Sequence, residues 1–78
     1  MEKFDKLRRI DNELGNWMEM LYHKNLDNVF TAINLTVEVS SPISAFKAVK
    51  ELRNLGYKSF QCGITFSHVR VVFKEAFE

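Results

Sequence analysis

Apolar and polar residues alternate in two stretches of the chain, and this period of two predicts β-strands with one buried face. The first stretch runs from Val29 to Val39, and the second, from Lys58 to Phe77, holds two such runs. A turn at Ser67-His68 would join those two runs into a hairpin. We expect the buried faces of these strands to carry Ile33, Leu35, Phe60, Cys62, Ile64, Phe66, Val71 and Phe73.

Apolar residues that recur every three or four positions predict an amphipathic helix from Glu2 to about Leu26. Gly15 lies in the middle of this helix and lowers its stability by about 1 kcal/mol relative to alanine. A glycine there indicates a kink or break, or the close approach of another backbone. The apolar stripe consists of Leu7, Ile10, Leu14, Trp17 and Leu21.

A second helix is specified by signals at both of its ends. Ser41 is a favourable N-cap, and Pro42 follows at the first helical position, where its missing N–H is not needed. Gly56 is the residue expected in a left-handed conformation just past the C-terminus. We expect this helix to bury a stripe of Ile43, Phe46, Val49 and Leu52, with Ala45 and Ala48 as small neighbours.

These elements predict one α+β domain over residues 1–78, in the order α-β-α-β-β. We expect a three-stranded, mainly antiparallel sheet, half of a ferredoxin-like sandwich, with two helices packed on one face. The last strand would lie in the middle of the sheet. In the alternative strand order, the first strand lies beside the second and parallel to it. A fold of this kind does not by itself indicate a function.

The composition of the chain excludes several classes of protein to which it could belong. A 46% hydrophobic content argues against disorder, and a net charge of +1 gives no strong electrostatic attraction to nucleic acid or membranes. No secretory signal or membrane-spanning run is visible, so we expect a cytoplasmic location. A 78-residue domain is marginally stable, and a single cysteine excludes an internal disulfide. Self-association is therefore one expected source of stability.

The sequence offers little catalytic chemistry. Cys62 is expected to face the core as an inert thiol, and His68 to lie at the hairpin tip, roughly 20 Å farther along the strand. His23 and His68 are far apart in sequence, and the acidic residues form no close pair. We therefore expect no enzyme activity, no cofactor and no metal site.

A protein-binding role agrees best with these features. We expect a small regulator, inhibitor or adaptor, of a kind that viruses and mobile elements sometimes encode, acting by covering a partner's surface. Aromatic and methionine side chains are enriched at interfaces. The candidates for contacts with a partner are Trp17, Met18, Tyr22 and Phe30. A homodimer would form through the first helix or through the edge of the Val29–Val39 strand.

A nucleic-acid-binding module is the alternative interpretation. An open sheet face that carries aromatic and basic side chains can stack bases and contact phosphates. The second helix adds a basic side. The residues that would carry this function are Phe30, Lys47, Lys50, Arg53, Arg70 and Lys74.

Overall fold

Three α-helices and a three-stranded antiparallel sheet form the part of the chain that the computed structural model describes, residues 2–24, 34–63 and 67–72. This confirms the α+β class and the order of helices and strands, except that the first helix is divided in two. A 3₁₀ turn over Glu2–Phe4 is followed by α1 (Asp5–Ile10), α2 (Asn12–His23), β1 (Asn34–Glu38), α3 (Pro42–Asn54), β2 (Lys58–Cys62) and β3 (His68–Val72).

The predicted single helix is broken at Asp11, whose backbone is extended (φ −148°, ψ 112°). The carboxylate of Asp11 accepts the backbone N–H of Leu14 at 3.0 Å and so caps α2. Helix α2 then folds back against α1, and a Cβ atom on Gly15 would lie only 2.6 Å from the Cα atom of Arg8. The expectations of a close approach at Gly15 and of a break near it are confirmed, and the helix from Glu2 to about Leu26 is therefore not continuous.

Helix α3 has the limits that its end signals predict. The Ser41 side chain accepts the N–H of Ser44 at 3.1 Å, and Pro42 is the first helical residue. Gly56 has φ 101°, and the N–H of Tyr57 donates to the carbonyl of Leu52 at 3.0 Å. These contacts satisfy backbone groups at both ends of the helix.

The strand order is β1-β3-β2, with β3 antiparallel to both neighbours. The prediction that the last strand lies centrally is confirmed, and the alternative with the first two strands adjacent is wrong. Val37 lies opposite Val69, and Ser59 lies opposite Val71. Strands β1 and β2 therefore form the two edges of the described sheet.

The helices cover one face of this sheet. Helix α1 contacts α2 and α3, and α3 packs on β2 and β3. Val69 and Val71 of β3 are fully buried there, as the strand pattern predicts for that face. The buried core comprises Phe4, Leu7, Leu14, Met18, Leu21, Val39, Ala45, Ala48, Val49, Leu52, Tyr57, Val69 and Val71.

Strand β2 faces the opposite way from the prediction. Ser59 is completely buried beneath α3, whereas Phe60 is 46% exposed on the outer face. The Ser59 hydroxyl donates to the carbonyl of Val49 at 3.1 Å, so its polar group is satisfied in the core. A small side chain fits here because Ala45 and Ala48 let the helix approach the sheet closely.

The buried face of α3 is also rotated from the predicted one. Ile43 and Phe46, expected in the core, are 68% and 71% exposed. The buried stripe consists of Ala45, Ala48, Val49 and Leu52. Both stripes have helical spacing, and the close contact with β2 and β3 selects the one that carries the alanines.

Strand β3 begins at His68, so the prediction of a turn at Ser67-His68 is wrong. Gly63 has φ 81°, and His68 is the first residue of β3 instead of the tip of the turn. The predicted core residues Ile33, Ile64, Phe66 and Phe73 lie outside the described residues, as does the side chain of Leu35.

Candidate functional site

Three large apolar side chains are exposed where α3 borders the edge strand β2: Ile43, Phe46 and Phe60. Single exposed apolar residues are ordinary, but a group of them is typical of a binding surface. Ile43, Phe46, Lys50 and Arg53 follow one another on one side of α3, three or four residues apart. We call these four residues together with Phe60 the α3–β2 patch.

Three contacts hold β2 along the length of α3. Ser59 bonds to the carbonyl of Val49, and its own carbonyl accepts the Arg53 Nε–H at 3.0 Å. The side-chain amide of Gln61 reaches the carbonyl of Pro42 at 3.5 Å. Because Pro42 begins α3 and Arg53 lies in its last turn, the exposed side of the helix that carries Phe46 runs beside β2.

Arg53 links the two sides of the β2 edge. Its Nε contacts the Ser59 carbonyl, while its guanidinium carbon lies 5.5 Å from the centre of the Phe60 ring. Phe60 is on the outer face of the sheet and α3 is on the inner face, so the Arg53 side chain wraps around the edge. A cation over an aromatic face contributes about 0.5–1 kcal/mol at an exposed position.

The surroundings of the patch are basic. Next to Lys50 and Arg53 of the patch itself, Lys47 is exposed on α3, and Lys58 is exposed at the start of β2. The acidic residue of α3, Glu51, is only 7% exposed and is turned towards α1, where its carboxylate lies 3.8 Å from Lys6 Nζ. The patch therefore presents apolar side chains among cations.

The outer face of the sheet brings residues from all three strands into rows. One row places Thr36, Arg70 and Phe60 side by side, with Arg70 in the middle. Thr36, Arg70 and Phe60 are all exposed. The outward position of Phe60 thus adds an aromatic ring to a face that already carries Arg70.

A second row consists of Glu38, His68 and Cys62. His68 Nε2 lies 3.7 Å from a carboxylate oxygen of Glu38, and Cys62 is half-buried on the strand at the other side. The expectations that Cys62 faces the core and that His68 lies far from it are wrong, because β3 begins at His68. No group of three or more His, Cys, Asp or Glu residues within residues 2–24, 34–63 and 67–72 is arranged to hold a metal ion.

The predicted partner-binding residues divide between the core and its margin. Met18 is 1% exposed and packs in the core, so it offers no surface to a partner. Trp17 and Tyr22 are half-buried against the core, and the Tyr22 ring meets that of Phe4 edge to face at 5.8 Å. Phe30 lies outside the described residues.

The predicted nucleic-acid-binding residues are distributed over two surfaces. Lys47, Lys50 and Arg53 are exposed on α3, and Arg70 is exposed on the outer sheet face. Arg53 and Phe60 connect these surfaces at the β2 edge. Phe30 and Lys74 lie outside the described residues.

Two shallow clefts border the helices. One, of about 280 Å³, lies between α1 and α3 and is lined by Lys6, Ile10, Lys47, Lys50, Glu51 and Asn54. The other, of about 330 Å³, lies where the break after α1 meets the end of β1, and Asp11, Glu13 and Glu38 are among its lining residues. The first cleft thus carries three lysines with the buried Glu51, and the second carries the exposed Glu13 and Glu38 with the buried Asp11.

Sequence reasoning missed the α3–β2 patch because it assigned Ile43, Phe46 and Phe60 to the core. The pair Ala45 and Ala48, three residues apart, is the signal that could have indicated the closely packed side of α3.

Comparison with protein-family models, curated proteins and solved structures finds no match to this chain. No helix within the described residues is long and apolar enough to cross a membrane.

Proposed function

We propose that this chain is a non-enzymatic protein-binding domain, a small regulator, inhibitor or adaptor that acts by covering a surface of its partner. The observation that carries the proposal is the exposure of Ile43 and Phe46 beside the outward-turned Phe60. The folded chain leaves these side chains in contact with water, and a partner would remove them from it.

The composition of the patch supports a protein as the partner. Aromatic residues and arginine are enriched at protein interfaces, and truncation of such central residues often weakens binding by 2 kcal/mol or more. Phe46 and Phe60 supply the rings, and Arg53 contacts the Phe60 ring at the strand edge. The exposed lysines around the patch would form the polar rim of the interface.

The test is affinity capture of partner proteins from the organism that encodes the chain, with a Phe46→Asp variant as comparison. Phe46 is 71% exposed, so the substitution leaves folding intact while it places a charge at the centre of the patch. We expect the bound protein to be lost, which corresponds to an affinity weakened by about thirtyfold or more.

Met20→Asp is the matched control, because Met20 is an exposed apolar residue of α2 outside the patch. We expect this variant to keep the partner. Loss of the partner in Met20→Asp and not in Phe46→Asp would overturn the proposed site and move the interface to α2, where Trp17 and Tyr22 lie.

Binding of single-stranded nucleic acid is the second candidate function, and the pairing of Phe60 with Arg70 on the outer sheet face favours it. An exposed ring beside a guanidinium can stack a base and contact its phosphate. Titration with single-stranded and duplex oligonucleotides at low and high salt tests this function. A slope of about −0.7 in log K against log salt for each phosphate contact would support it, and absence of binding at low salt would remove it.

A further inference from the structure

Among the described residues, the Arg53 side chain covers the edge strand β2, and no further strand pairs with it. Within the described residues, β2 pairs with β3 alone, and its far edge meets Arg53, whose Nε–H is donated to the Ser59 carbonyl. Exposed sheet edges attract other strands, and natural proteins guard them with charged residues. Arg53 covers the edge in this way, and it is held by its hydrogen bond to the Ser59 carbonyl and by its contact with Phe60.

The direction of the backbone groups shows which residues of β2 face this edge. The carbonyl of Ser67 accepts the N–H of Val39, so the backbone N–H and C=O groups of Ser67 face β1. The backbone N–H and C=O groups of successive residues in a strand point to alternate sides. Those of His68 and Arg70 therefore point towards β2, where these residues pair with Cys62 and Phe60. The backbone N–H and C=O groups of Ser59 therefore point away from β3, in agreement with the bond from Arg53 to the Ser59 carbonyl.

We propose that the partner of the α3–β2 patch is an extended peptide segment of alternating apolar and acidic residues, which adds to the β2 edge as a fourth strand. This inference rests on the proposed protein-binding function. The incoming backbone takes the place of the Arg53 side chain at the Ser59 carbonyl. Arg53 then turns to a carboxylate of the peptide.

The alternation of apolar and acidic residues in the peptide follows from the different surroundings on the inner and outer faces of the sheet at this edge. Side chains of an added strand point alternately to the two faces of the sheet. On the inner face they lie beside the side of α3 that carries Arg53 and the exposed Phe46, which favours apolar residues. On the outer face they meet Lys58 and, across Phe60, Arg70, which favours acidic residues.

Charge also distinguishes this edge from that of β1. On β1, Glu38 is exposed and faces His68, and the neighbouring cleft contains Asp11 and Glu13. An acidic strand would be repelled there. The basic surroundings of β2 select it as the edge for an acidic segment.

The test is selection of short random peptides displayed on phage against the whole chain, with removal of peptides that also bind the Phe46→Asp variant. We expect the selected peptides to alternate apolar and acidic residues. Hydrogen exchange of the complex should show added protection of the β2 amides. A synthetic version of a selected peptide, with methyl groups on the backbone nitrogens that face β2, should bind at least about tenfold more weakly than the unmethylated peptide.

Charge reversal gives a second readout. Lys58→Glu should weaken the selected peptides by about tenfold, since it places like charges side by side, whereas Lys24→Glu at the end of α2 should leave their affinity unchanged. Both lysines are exposed, so neither substitution disturbs the core.

The outcomes separate the mode of binding from the proposed function. Peptides that depend on Phe46 but bind as helices, or that leave the β2 amides unprotected, would overturn strand addition and leave the patch as a binding surface. Recovery of no peptide that binds wild type but not Phe46→Asp would contradict both the patch and the strand-addition mode.

Discussion

At the scale of single residues, Ser59 and Phe60 show what determines which face of a strand is buried. Transfer free energy alone would bury the phenylalanine, because its ring has the larger apolar area. The reverse orientation is stable since α3 lies too close to the sheet for a ring, and the Val49 carbonyl satisfies the buried hydroxyl. Local space and hydrogen bonding thus override hydrophobicity at this position.

Substitutions at these two positions test the orientation of β2. Ser59→Phe should lower the free energy of unfolding by about 1–3 kcal/mol through overpacking, and Ser59→Ala by about 1 kcal/mol through loss of its hydrogen bond. Phe60→Ser should change it by no more than about 1 kcal/mol, because the ring is half-exposed and its contact with Arg53 is a weak one at the surface. Chemical denaturation measures all three, and a larger loss for Phe60→Ser than for Ser59→Phe would contradict the observed orientation.

At the scale of elements, the crossing of α1 and α2 depends on the absence of a side chain at Gly15. Helix propensity alone predicts that Gly15→Ala stabilises the chain by about 1 kcal/mol. The Arg8 backbone occupies the space of the new methyl group, so the helices must separate. We expect a net loss of about 1–3 kcal/mol in thermal or chemical unfolding.

Asn16→Ala is the matched control for this substitution. Asn16 lies next to Gly15 on α2 and is exposed, and it accepts one hydrogen bond from Arg8. Its replacement should change stability by about 0.5 kcal/mol or less. Stabilisation by Gly15→Ala would show that the two helices do not pack as closely as described.

The elements also show what the sequence could predict. The limits of α3 followed from Ser41, Pro42 and Gly56, because caps act on their own neighbours in the chain. The face of α3 did not follow, since Ile43 and Ala45 both begin stripes with helical spacing. Only the packing partner distinguishes them, and that partner is distant in sequence. The candidate site was missed for the same reason, because it consists of the apolar side chains that packing left outside.

At the scale of the whole molecule, β1 lies at the edge of the described sheet, as the hypothesis of strand pairing between two copies requires. The backbone N–H of Val39 points towards β3. Because these directions alternate along the strand, the N–H of Thr36 points to the free side of β1. Pairing of two β1 edges across a two-fold axis would give a particle of about twice the 9.1 kDa chain mass at high concentration.

Thr36→Pro tests this pairing, because it removes an N–H from the free side of β1 and leaves the bonds to β3 in place. We expect this variant to sediment as a monomer and Thr36→Val to associate like wild type. A wild-type chain that is monomeric at high concentration would contradict pairing through β1. A Thr36→Pro variant that still dimerises would point to the first-helix region.

The carboxylate of Asp11 joins parts of the chain that are synthesised at different times. One oxygen accepts the N–H of Leu14, and the other accepts the N–H of Ser40 at 2.8 Å, 29 residues later. Closing a loop of that length has an entropic penalty that rises only slowly with its size, but the contact must wait until its second partner exists. During translation, α2 can therefore be capped locally by Asp11 before the β1–α3 connection leaves the ribosome, and its anchorage to the sheet follows in a later step.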